Sequence, residues 1–144
     1  EKEGSEMDAD FRARVAGIRK YQAALEIPLS QRIEKVRERI KGNLEEFVES
    51  AKIDPNRFEQ EVVYYLEKLD ISEERVRLGS NLDYFMHELD EGTDQGKKLG
   101  FIAQEIGREI NTMGSKANDA DVQRFVVKMK DDLEKIKEQV LNVL

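Results

Sequence analysis

Apolar positions recur every three or four residues through most of this chain. Met7, Phe11, Val15, Ile18 and Leu25 lie at spacings of three, four and seven. They mark one face of a helix over about residues 5–26, with Ser5 placed to cap its start. Pro28 interrupts the pattern, because a proline pushes the residue before it away from helical geometry. A second stripe follows: Leu29, Ile33, Val36, Ile40, Leu44 and Phe47. The two segments predict either a helical hairpin or one long helix kinked at Pro28. Asp54-Pro55 is a strong helix start, a capping carboxylate followed by Pro at the first helical position. The stripe it opens is Phe58, Val62, Tyr65, Leu66 and Leu69. Ser72 opens another helix, with Glu73 and Glu74 in the first turn, where the helix dipole favours acids. Val76, Leu82, Phe85, Met86 and Leu89 lie along it.

Residues 90–96 combine two glycines with three acids and read as a loop. A fifth helix is expected from about Lys97 to Asn111, through Leu99, Ile102, Ala103, Ile106 and Ile110. The polar run 111–118 then reads as a loop, and the last helix begins near Asp119. There Val122, Val126, Met129, Leu133, Ile136, Val140 and Val143 alternate four and three apart, the heptad pattern of a coiled-coil-like seam. No segment alternates with the two-residue period of a strand. The expected fold is all-α, five to six helices in an open or elongated bundle with a long heptad-patterned C-terminal helix. Narrow apolar stripes favour that arrangement over a compact four-helix bundle.

Composition narrows the chemistry. The 144 residues are 39% hydrophobic and 38% charged, which suits long helices with one apolar stripe and broad wet faces. The absence of Cys excludes a disulfide scaffold, a thiolate metal site and a cysteine nucleophile. A single His excludes a multi-histidine zinc site. No apolar run approaches the ~20 residues of a membrane-spanning helix. The net charge of −7 argues against a simple electrostatic nucleic-acid binder. Acids outnumber bases over residues 1–95, whereas the two nearly balance over 96–144, so polyanion contact is expected in the last third. No signal or transit peptide pattern opens the chain, and a cytoplasmic location is expected. The chain does not begin with Met, which suits a fragment of something longer.

The densest candidate chemistry runs from Gln104 to Lys116. Glu105 and Glu109 lie one turn apart, so their carboxylates share a helix face and repel unless a cation such as Mg²⁺ or Mn²⁺ sits between them. Arg108 shares a face with Glu105. Asn111, Thr112, Ser115 and Lys116 add donors at a loop leading into a helix N-terminus, an arrangement able to hold a phosphate. The same residues more often make a solvated, salt-bridged face followed by ordinary turn chemistry. His87, among Asp83, Glu88, Asp90 and Glu91, reads as a surface histidine. Tyr64, Tyr65 and Tyr84 read as core or interface residues rather than base-stacking groups, and the basic run from Arg32 to Lys41 as a solvated face diluted by Glu34 and Glu38.

Residues 54–89, DPNRFEQEVVYYLEKLDISEERVRLGSNLDYFMHEL, and 96–143, GKKLGFIAQEIGREINTMGSKANDADV…EKIKEQVLNV, resemble the C-terminal half of the bacterial YicC/YloC family. The opening EKEGSEMDADFRARVAGI is similar to the stretch that precedes that half. The resemblance covers nearly the whole chain. It divides it into a linker region, 1–52, and a C-terminal helical domain, 53–144, with the family's N-terminal α/β domain absent. It implies a stress-related bacterial protein that acts on RNA: a metal-dependent endoribonuclease, a homo-oligomer (hexameric at full length), with no membrane association. A non-catalytic RNA-binding adaptor and a helical oligomerisation module, with 119–143 as its seam, are the alternatives.

Position by position, the family's pattern falls on Glu61, Lys68, Asp70, Glu73, Glu74, Arg77 and Ser80, then on Gln104, Glu105, Arg108, Glu109, Asn111, Thr112, Ser115 and Lys116. The roles this implies are a divalent cation, Mn²⁺ or Mg²⁺, at Glu105 and Glu109, and phosphate binding with charge stabilisation by Arg108 and Lys116. Gln104, Asn111, Thr112 and Ser115 position the RNA. Asp70, Glu73 and Arg77 are expected to cap and lock the helix junction. Two features depart from the family. Asn81 stands where it usually has His, and Gly100 and Gly107 stand where larger polar residues are expected.

Overall fold

The computed structural model describes residues 2–47, 54–91, 95–117 and 119–143. They form six helices: α1 (Lys2–Ala24), α2 (Glu26–Phe47), α3 (Pro55–Leu69), α4 (Ser72–Glu91), α5 (Gln95–Lys116) and α6 (Ala120–Val143). No strand occurs among the described residues, so the chain is all-α, as its periodicity predicts. No helix among them is long and apolar enough to cross a membrane.

α1, α4, α5 and α6 enclose one core. α4 packs on α5, α5 on α6 and α6 on α1. α1 closes against α4 through Phe11 and Phe85, edge to face with ring centroids 5.5 Å apart. Val122, Val126, Met129, Leu133, Ile136 and Val140 of α6 are all buried in this core. The heptad stripe, which the oligomerisation alternative would place between chains, lies against α1 and α5 of its own chain. Gly107 sits where α5 meets α6. A Cβ there would come 3.2 Å from the Leu133 side chain, so the missing side chain permits the close approach.

α2 and α3 stand apart from this body. The chain bends at Leu25 and does not double back. The Leu25 amide donates to the Gln22 carbonyl at 3.2 Å, and the Leu29 amide donates to the Leu25 carbonyl at 3.0 Å. Pro28 falls in the first turn of α2, where its missing N–H removes no helical hydrogen bond. α2 then packs on α3 through Val36, Ile40 and Val62, flanked by Phe58 and Leu66. Ion pairs tie the pair to the body: Arg32 to Asp119 at 3.1 Å, and Glu26 to Arg75 at 2.8 Å. The accessible surface is 9472 Å² for 16.7 kDa, against about 7,600 Å² for a compact monomer of that mass. That excess fits an open bundle with a projecting arm.

Helix ends follow the sequence in some places and depart from it in others. Asp54 caps α3 by accepting from the Asn56 amide at 3.0 Å, with Pro55 first in the helix. Asp70 does the same for α4, accepting from the Ser72 amide at 2.9 Å and from its hydroxyl at 2.5 Å. Ser5 is not a cap, because α1 already begins at Lys2. The loop expected from Asn111 is helix: α5 runs on to Lys116. Asn, Thr, Gly and Ser are weak helix formers. Met113 and Ala117, however, extend the buried stripe of Ile106 and Ile110, and that packing overrides propensity. α4 runs to Glu91 and α5 starts at Gln95, so only 92–94 of the expected 90–96 loop remain, and they lie outside the described residues. So do the side chains of Leu44, Phe47, Tyr65 and Leu69.

Candidate functional site

One face of α4 carries Leu78, Leu82 and Phe85 into the core, and Ile71 precedes them. Glu74 occupies the same stripe and is only 3% exposed. A carboxylate so placed needs a cation. Lys116, at the end of α5, donates to its Oε1 at 2.7 Å, and Arg77 approaches the same oxygen at 3.5 Å. The other oxygen, Oε2, is buried without a hydrogen-bond partner. Burial pushes the Glu74 carboxyl up. The hydrogen bond and charge of Lys116, helped by Arg77, outweigh that and hold it below the ordinary range. The Lys116 amine is raised in turn, chiefly by its hydrogen bond to Glu74.

Arg77 carries the network from α4 to α5. Its Nε donates to Glu109 of α5 at 3.0 Å, and its Nη1 reaches Glu73 at 3.5 Å. Glu109, Arg77, Glu74 and Lys116 thus form one alternating chain of charge that joins the first turns of α4 to the last turns of α5. Such a chain fixes register more reliably than it adds stability. Arg77 locks the helix junction as its position in the family pattern implies, whereas the burial of Glu74 is what sequence spacing underrates. The available signal was a carboxylate on an apolar stripe.

The candidate residues of α5 separate onto two neighbouring flanks. Gln104, Arg108, Asn111, Thr112 and Ser115 are exposed. Glu105 and Glu109 are half-buried, and Glu109 and Lys116 reach α4. The side chain of Arg108 is 79% exposed and meets Glu105 only at 3.9 Å. Ser115 donates its hydroxyl to the Asn111 carbonyl at 3.1 Å, a bond made along the helix. The expected phosphate cradle, a loop feeding a helix N-terminus, is therefore absent at 111–116. Those amides belong to α5, and any phosphate contact there comes from side chains.

The acid pair fits a cation only in part. Glu105 and Glu109 share a helix but one Glu109 oxygen already accepts from Arg77. Among the described residues, no group of three or more His, Cys, Asp or Glu side chains is placed to hold a metal ion. This donor set suits a cation that takes one or two carboxylates and completes its shell with water and phosphate, as Mg²⁺ does. It does not suit an all-protein cage. His87 lies on the surface, 3.5 Å from Glu91. Tyr64 and Tyr84 are about half exposed, so of the core and interface readings the core one does not hold for them.

Comparison with known proteins bears on the family of the chain. Residues 26–144 match the model of the family described as "Endoribonuclease YicC-like, C-terminal". A relative from Clostridioides difficile (strain 630), named "Probable endoribonuclease YicC", is 34% identical over 142 residues, 98% of this chain and 48% of its own length. A Haemophilus influenzae relative of the same name is 36% identical over 91 residues, 63% of this chain and 32% of its own length. The chain spans about half, or less, of the length of these relatives.

Proposed function

We propose that this chain, which belongs to the YicC-like endoribonuclease family, is the part of an RNA-cleaving enzyme that holds the RNA backbone along the α4–α5 groove. The observation that carries the reading is the contrast on α5 between Arg108, exposed and loosely paired, and the charge chain beside it, in which Lys116 and Arg77 are already committed. A guanidinium only loosely held by its neighbour, beside a fixed scaffold, can turn both its N–H edges to a phosphate. Arg108 binds the scissile phosphate and neutralises the charge that develops on it. Gln104, Asn111, Thr112 and Ser115 donate to neighbouring backbone oxygens. Glu74 and Arg77 act through others: they hold Lys116 and Glu109 in place.

A divalent cation, Mn²⁺ or Mg²⁺, belongs to the same reading. Glu105 and Glu109 would hold it together with the RNA phosphate, and it would supply Lewis-acid charge there. Homo-oligomeric assembly of the full-length protein and a cytoplasmic setting rest on the family resemblance alone.

A second reading, RNA binding without chemistry in this half, is favoured by one observation. Glu109 and Lys116 are both tied in ion pairs to α4, leaving fewer groups free to move a proton. A cleavage time course on a structured, end-labelled RNA, with Mn²⁺, Mg²⁺ or EDTA, separates the two. The comparison is between this chain, the full-length protein and its Glu105→Gln/Glu109→Gln variant. The first reading predicts metal-dependent internal cuts by the full-length protein that the double variant loses. Cuts that persist in the variant would remove the metal assignment. RNA binding without cuts in any divalent metal would favour the second reading.

A further inference from the structure

A cavity of about 380 Å³ opens where the α2–α3 arm meets the start of α4. That is at the small end of ligand-pocket volumes, roughly 300–1,000 Å³. Its floor is apolar: Leu29 and Ile33 from α2, Val63 and Leu66 from α3, and Ile71. Ile33 and Val63 remain 44% and 50% exposed, an unusual amount for aliphatic side chains that already face a concavity.

The walls are polar and of both signs. Arg32 and Arg75 line the cavity, and each keeps a buried Nε without an acceptor. Both guanidinium groups are anchored elsewhere, Arg32 to Asp119, and Arg75 to Glu26 and to the Gln22 carbonyl at 3.1 Å. Those bonds fix both cations in the cavity lining, so the positive charge they present there is held in place. Glu67 and Asp70 supply acceptors on the same walls. With Glu26, the carboxylates in the lining outnumber the arginines, so a free phosphate is disfavoured here.

A flat, neutral ring with donors and acceptors on its edge matches this chemistry. The place matches too. Asp70 and Ser72 line the cavity and also begin the helix that carries Glu74 and Arg77, one turn from the candidate phosphate groove. We propose that this cavity takes a single unpaired nucleobase of the RNA whose backbone runs along α4–α5. The base lies on the aliphatic floor, its edge reads the Arg32, Arg75, Glu67 and Asp70 side chains, and its sugar-phosphate passes over Ser72 towards Arg108. The inference rests on the RNA reading above.

The test is an NMR titration of the full chain, with ¹³C-methyl labels on Ile, Leu and Val and ¹⁵N on the backbone. The probes are the four homopentaribonucleotides, each alone, and a pentamer of abasic ribose phosphates. At least one base-bearing pentamer should shift the methyls of Ile33, Val63 and Leu66 together with the amides of Arg108 and Ser115. The abasic pentamer should shift only the amides. Ile33→Trp and Val63→Trp, which fill the cavity from exposed positions, should weaken that pentamer about 10-fold, the scale of one stacked base. Shifts confined to Arg108 and Ser115 with every pentamer, or unchanged affinity in both Trp variants, would overturn the cavity and leave the phosphate groove standing. No shift with any pentamer would overturn both.

Discussion

The four-helix body and the α2–α3 arm are written in the same sequence pattern and packed very differently. In the body, the stripe of α6 meets α1 on one side and α5 on the other, and Val122, Met129 and Ile136 are fully buried. In the arm, the stripe of α2 touches the body at Leu29 and from Val36 onward meets α3. Val36 and Ile40 are slightly less buried than the α6 stripe, and Ile33, one turn earlier on the same stripe, is 44% exposed. A stripe says which face of a helix is apolar. How deeply that face is buried depends on how many neighbours it finds. The body is therefore the stable unit, and the arm is the part of the described chain expected to open first. The cavity proposed to read a base lies on the line between them.

The largest effect should come from a charge placed in the body. Met129→Asp buries an unpaired carboxylate among α1, α5 and α6, and should remove more than about 4 kcal/mol of stability. Loss of the cooperative urea transition is the readout. A chain that keeps its cooperative transition and loses only self-association would mean that α6 is a seam between chains after all, and the comparison above would fail.

The α4–α5 charge chain gives a sharper pair of variants, because its two ends differ in burial. Lys116→Ala leaves Glu74 buried with only the more distant Arg77 beside it. Glu74→Gln removes the buried charge and lets Lys116 turn to solvent. The lysine variant should lower the urea midpoint clearly, and the glutamine variant much less. The two should also differ with pH. The Glu74 carboxyl is held below its ordinary value, about 4.3, so its contribution is complete above that pH and fades as pH falls through the depressed value. Acid denaturation of Glu74→Gln should lack that component, whereas in Lys116→Ala burial is no longer outweighed, so protonating Glu74 should relieve part of the damage and the gap from the parent should narrow as pH falls. Identical acid limbs in all three proteins would sink the account.

In the arm, Ile40→Ala should cost about 2 kcal/mol, the low end for such truncations, because it belongs to a small cluster with few neighbours. Amides of α2 and α3 should exchange faster with deuterium and those of α5 and α6 should not. Uniform acceleration across the chain would mean that arm and body unfold as one.

What sequence spacing conveys follows the same division. Asp54-Pro55 and the α6 stripe are legible because every interaction they involve is local or periodic. The helical state of 111–116 is not, since polar side chains that read as a turn lie on the outer face of a helix whose Met113 is held inside. The charge chain is not either. Arg77 and Glu109 are 32 residues apart, and Lys116 and Glu74 are 42 apart. Spacing pairs Glu105 with Arg108 on the same helix, and that is the loosest contact of the group, at 3.9 Å. The residues that matter most to the groove's geometry find their partners on another helix. The cavity behind Ser72 likewise depends on how α2 and α3 lie against α4, which no pattern within one helix reports.

The smallest effect on stability and the most informative on function should come from Arg108→Ala. Its side chain is mostly in water and its ion pair with Glu105 is long, so stability in urea denaturation should change by less than about 0.5 kcal/mol. If Arg108 meets the scissile phosphate, cleavage by the full-length protein should fall about 100-fold, the scale for removing one group that stabilises developing charge. Arg108→Lys distinguishes a bidentate contact from mere positive charge. A lysine that restores little activity points to the planar guanidinium fork, and one that restores most of it points to charge alone. Arg77→Ala is the control on the neighbouring flank. Its guanidinium holds Glu109, Glu74 and Glu73 together, so its removal should move stability and activity together. Arg108→Ala should separate them, and an Arg108→Ala protein that is destabilised yet fully active would assign that flank to the scaffold and not to the RNA.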